Sequence, residues 1–154
     1  MIRAMNKIDL PPPVGYDEDF AQWSARQAAL LREGRFDQLD IENVAEEIES
    51  LGRSEKHEIK NRIEVLLVHL LKWQRQPEHR SRSWAATIRH QREAIEDLID
   101  ESPSLRPYPA EVLAQRYTRA RAKAAEETTI FLDLFPTGCP FTIEQILDQA
   151  FLPD

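Results

Sequence analysis

The longest run of helical periodicity in the chain lies between Asp40 and Trp73. A helix turns by about 100° per residue, so every seventh residue returns to nearly the same face. Ile41, Val44, Ala45, Leu51, Ile59, Ile63, Leu66, Leu70 and Trp73 then make a single apolar stripe, expected to be buried. Ile48, Glu55, Arg62 and His69 form a heptad line within it, so three polar groups point toward the stripe. A buried polar or charged group costs several kcal/mol unless it is paired, and these three need partners. Leu39 and Val44 have the spacing of a hydrophobic staple around an N-cap at Asp40, and Pro77 stops the helix. Gly52 interrupts the run without shifting its register, so one helix is expected, with Gly52 as the place where it could bend or break.

The same pattern, weaker, marks the other elements. A first helix is expected from Asp17 to Gly34, with Phe20, Trp23, Leu30 and Leu31 on its buried face and Gln27 among them. Trp84, Ile88, Ile95, Leu98 and Ile99 define a third, starting near Ser83, with Gln91 and Arg92 on or beside its apolar side. After a proline-rich loop, Pro109 or Ala110 opens a fourth that should reach about Phe135. Its stripe is Leu113, Tyr117, Ala120, Ala124, Phe131 and Phe135, with Glu127 near the same line. Thr142 and Gln145 have the spacing of a capping box, opening a short last helix through Ile143, Ile146 and Leu147. The expected fold is all-α: a helical bundle of four main helices and a short C-terminal one. Residues 16–154 are expected to form a single domain, preceded over 1–15 by an extended leader around Pro11-Pro12-Pro13.

Composition agrees with this assignment and narrows the function. The 154 residues include only 4 glycines, and 31% are charged, a balance that favours helices. A formal charge of -7 argues against a chain built mainly to neutralise phosphates or coat an anionic membrane. The longest apolar run, Val65 to Val68, is far short of a membrane span. Met1 to Leu10 is too polar for a signal peptide, and Cys139 is the only cysteine, which points to a cytoplasmic protein without an internal disulfide.

The stretches DIENVAEEIESLGRSE from Asp40, HLLKWQRQP from His69, RSWAATIRHQR from Arg82, SPSL from Ser102 and FPTGCPFT from Phe135 together resemble a bacterial family, domain of unknown function twenty-nine. In this order they cover Tyr16 to Pro153. The resemblance implies a small intracellular helical bundle and brings with it no activity, cofactor or catalytic residue.

The chemistry offered by the residues themselves centres on an interior polar set: Glu55, Arg62, His69, Gln91, Arg92 and Glu127. Cross-helix ion pairs would make it a structural network. A polar cavity would instead make it a site in which His69 or a glutamate moves a proton and arginines hold an anion. For metal, no Glu-x-x-His pair of the di-iron kind occurs, which leaves His69 with Glu47 or Glu55 as weak cross-helix candidates and no cofactor expected. Charge is also uneven along the chain. Acids crowd Asp37 to Glu49, while Lys72, Arg75, Arg80, Arg82 and Arg89 form a basic segment where nucleic acid is a third, lesser reading. Glycine-rich phosphate loops and a Gly-x-Ser-x-Gly elbow are missing. The leading expectation is therefore a non-enzymatic module that associates with itself or with another protein. The alternative is an enzyme or metal-binding protein built on the interior set.

Overall fold

A computed structural model describes residues 9–154. The expected leader falls partly outside the described residues. Within them, the carbonyls of Pro11 and Pro12 accept hydrogen bonds from Arg26 Nη1 (2.9 Å) and Gln22 Nε2 (3.1 Å). The described chain is all-α and carries four long helices and a short fifth: α1 (Phe20–Arg32), α2 (Ile41–Arg75), α3 (Arg82–Glu101), α4 (Tyr108–Thr128) and α5 (Ile143–Leu147). It divides into two compact units, one ending at Gly52 and the other running from Arg53 to Asp154.

In the first unit α1 begins later than its acidic run suggests. Gly15 to Asp19 form a turn, and the carboxylate that accepts the cap hydrogen bond, from the Gln22 amide, belongs to Asp19 rather than Asp17. Gly34 ends the helix region at φ +69°, a left-handed conformation that costs glycine little. Trp23 and Leu30 are buried, and Gln27, also buried, uses its side-chain oxygen to accept the Asp40 amide at 2.9 Å. Trp23 Nε1 donates to Asp40, and the Tyr16 hydroxyl donates to Glu47. These bonds place α1 against the Asp40–Glu47 side of α2, about a quarter-turn from the line of Ile41 and Ile48. That line is left bare: Ile41, Ile48 and Leu51 are 65%, 63% and 69% exposed. The apolar stripe expected to be buried from end to end is therefore buried only from Ile59 onward.

Helix α2 is continuous through Gly52. In the second unit its residues Ile59, Ile63, Leu66, Leu67, Leu70 and Leu71 are wholly buried. They share one core with Ile88, Ile95 and Ile99 of α3, Val112, Tyr117, Ala120 and Ala124 of α4, and Ile146 of α5. Ser81 caps α3 by accepting the Trp84 amide, and α5 has the expected capping box between Thr142 and Gln145. Helix α4 ends earlier than its periodicity indicates. The Thr128 hydroxyl turns back to the Ala124 carbonyl (2.6 Å), Thr129 adopts φ +58°, and the chain leaves the helix. Phe131, expected on the buried stripe, is consequently 82% exposed, whereas Phe135 re-enters the core.

Candidate functional site

Glu55, Arg62 and His69 fall on one line of α2, each half-buried at the edge of the core, and continuity through Gly52 keeps Ile48 in the same register. Each finds a different partner. Glu55 accepts the Ser102 hydroxyl at 2.9 Å. Arg62 grips Glu58, one turn back, through Nε (2.9 Å) and Nη2 (2.7 Å), and reaches Gln91 on α3 with Nη1 (3.2 Å). His69 Nδ1 lies 2.8 Å from the Val65 carbonyl, a backbone partner rather than a carboxylate. Burial pushes the His69 imidazole below its ordinary pKa, with nearby Lys72 adding to the shift, while the Val65 carbonyl and Glu127 oppose it.

The other three members lie elsewhere. Arg92 is buried and closes the end of α5, donating from Nε to the Ile146 carbonyl (2.7 Å) and from Nη2 to that of Gln145 (3.3 Å). Glu127 is exposed and pairs with Lys72 at 3.1 Å. Of the six residues, Arg62 and Gln91 are the one pair shown hydrogen-bonded to each other among the described residues. Their surroundings form an open groove of about 370 Å³, lined by Ser54, His57, Glu58, Asn61, Arg62, Val65 and Gln91. Glu58 was hidden in the sequence because it lies one turn from Arg62 on the outer side of α2, where an i, i+4 pair is ordinarily a surface feature.

The buried ion pair of the second unit is one that the sequence did not single out. Arg116 of α4 meets Glu64 of α2 at 3.1 Å, and Glu64 also receives Arg119 at 3.1 Å. Its only sequence signal was an arginine next to the core residue Tyr117. Among the described residues no group of three or more His, Cys, Asp or Glu side chains is placed to hold a metal ion. Of the metal candidates, Glu47 is held by Tyr16, Glu55 by Ser102 and His69 by Val65. Cys139 is half-buried, and burial raises its thiol pKa, the opposite of an activated thiolate.

The basic segment spends much of its charge on its own chain. Lys72 Nζ sits 4.8 Å from the Trp84 ring as well as on Glu127, and Arg75 lies over Phe135. Arg80 stacks on Trp73 and donates to its carbonyl at 2.8 Å, while Arg89 faces Glu93 at 3.8 Å. Arg82 is exposed. The tryptophans that a nucleic acid would stack on are thus already capped by cations.

Fold and side-chain arrangement define an all-α protein whose interior polar groups are tied to separate partners, most of them across helices, rather than gathered into one cluster. The family model for domain of unknown function DUF29 matches residues 15–152, running across both units, and the chain belongs to that family. No curated protein and no solved structure matches it. No helix among the described residues is long and apolar enough to cross a membrane.

Proposed function

We propose that this protein is a non-enzymatic association module whose docking face is the first half of α2. The observation that carries this reading is the bare line of Ile41, Ile48 and Leu51 on one side of a regular helix. Single exposed apolar residues are ordinary, whereas a contiguous row of them on a helix marks a partner surface. Glu42 lies on the flank of that row away from α1. Two copies paired through this face would bring like charges together, so the partner that fits is a basic amphipathic helix of another protein. The separate partnering of Glu55, His69, Arg92 and Glu127 supports a structural role for the interior polar set. The lone, half-buried Cys139 suits a cytoplasmic setting.

The test is fluorescence anisotropy with a labelled helical peptide carrying leucines at i, i+3, i+4 and i+7 between lysine flanks. Saturable binding is expected, weakened about tenfold or more by Ile48→Asn, because one buried isoleucine is worth roughly 1.5–3 kcal/mol. A peptide with the same leucines and glutamate flanks should bind more weakly. Sedimentation that shows a monomer with no peptide binding would sink the proposal. A dimer dispersed by Ile48→Asn would give the face to a second copy instead.

A further inference from the structure

We propose that the groove between α3 and the segment after α5 binds a small carboxylate with an apolar tail, its charge taken by the Arg92 guanidinium. Arg92 lines this groove of about 420 Å³, with Ala85, Ile88 and Leu152 as its apolar wall. That volume lies in the range of small-ligand sites. The far wall is tied in place. Gln149, also in the lining, donates from Nε2 to the Arg89 carbonyl at 3.4 Å, and Arg80 Nη2 donates to the Pro153 carbonyl at 3.4 Å. The groove is thus held by the chain's own hydrogen bonds, and Leu152 lies along it exposed.

Arg92 is 3% exposed, yet both of its hydrogen bonds go to uncharged groups, from Nε to the Ile146 carbonyl and from Nη2 to that of Gln145. Arg116, similarly buried, has the carboxylate of Glu64. A buried cation bonded only to neutral acceptors keeps much of its desolvation cost. Among the described residues Arg92 forms no ion pair. Asp148 acts on it through space while its own carboxylate accepts the Ala150 amide at 2.9 Å. Glu93, also in the lining, is exposed and faces Arg89 at 3.8 Å. A ligand carboxylate supplies the missing counter-charge. The two carbonyls fix the guanidinium plane, so Nη1, which neither bond uses, meets that carboxylate with little further ordering. Ile88, Ala85 and Leu152 then cover the attached hydrocarbon.

Isothermal titration calorimetry of the full chain with octanoate tests the site, against acetate, 1-octanol and inorganic phosphate. One-to-one saturable octanoate binding is expected. Acetate should bind about a hundredfold more weakly, at about tenfold for every two methylenes the groove covers, and octanol should not saturate. Arg92→Lys keeps the charge and loses the planar fork, which should weaken octanoate about tenfold. Because Arg92 also closes α5, that variant may unfold, and Leu152→Asp provides the independent check. Leu152 is exposed, so the circular dichroism of Leu152→Asp should match the parent, while its carboxylate in the groove weakens octanoate about tenfold or more. Octanoate binding unchanged in Leu152→Asp overturns the proposal, as does the absence of saturable binding at millimolar concentration. Acetate or octanol binding as tightly as octanoate overturns it too, since one half of the recognition would then be idle. Phosphate binding more tightly than octanoate gives the groove to a different anion and likewise overturns it.

Discussion

Arg116 and Glu64 face one another with side chains only 7% and 15% exposed, so their charges depend on each other for solvation. Glu64→Gln should lower stability by about 3 kcal/mol, because it strands a buried guanidinium; the double variant Glu64→Gln/Arg116→Met should recover most of the loss. Urea unfolding midpoints check this, and additive losses in the double variant would contradict it. His69 gives a second prediction. Its folded-state pKa lies below the ordinary value of 6.5, so in the window beneath 6.5 the unfolded chain binds more protons than the folded one. Its contribution to stability is complete above 6.5 and falls as pH drops from there toward the folded value. Melting temperatures of the parent should therefore decline between about pH 7.5 and 5.5 more steeply than those of His69→Gln. Parallel profiles would show that His69 does not titrate on unfolding.

At the level of elements, Gly52 is an exposed interior residue of α2 with no atom within 4 Å of an added Cβ and no positive φ. Gly52→Ala should raise stability by about 1 kcal/mol, by restricting the unfolded chain and improving helix propensity. Thermal denaturation followed by circular dichroism measures it, and a loss would mean that the helix needs the glycine. The end of α4 shows what periodicity alone does not convey. Ala124, Thr128 and Phe131 keep the helical spacing, yet the hydroxyl of Thr128 accepts the Ile130 amide at 3.3 Å and supplies a local alternative to the next turn. The start of α1 is similar: three consecutive acids, Asp17 to Asp19, each suit a helix N-terminus, and the Gly15 turn selects the last.

For the whole molecule, the large apolar core belongs to the second unit, while among the described residues the first buries only Trp23, Ala29 and Leu30 of its hydrophobic side chains. Native-state hydrogen exchange should therefore find the amides of Ile63 to Leu71 opening only with global unfolding, and those of Glu46 to Leu51 opening at distinctly lower free energy in the same continuous helix. Uniform protection along α2 would contradict this. It would also weaken the reading of Ile41, Ile48 and Leu51 as a face waiting for a partner.

The sequence by itself determined the all-α class, the number and order of the helices, the uninterrupted register through Gly52 and the cap at Thr142. Each of these depends on spacing and on side chains acting within a turn or two of their own position. It also placed Glu55, Arg62 and His69 on one line. Only the tertiary structure decided which part of that helix is covered. It turned Arg92 toward the end of α5, matched Arg116 with Glu64, and brought Tyr108 beside Lys56 and Lys60. Those outcomes depend on which helices meet and at what rotation, a balance of packing among distant residues that periodicity along one chain does not encode.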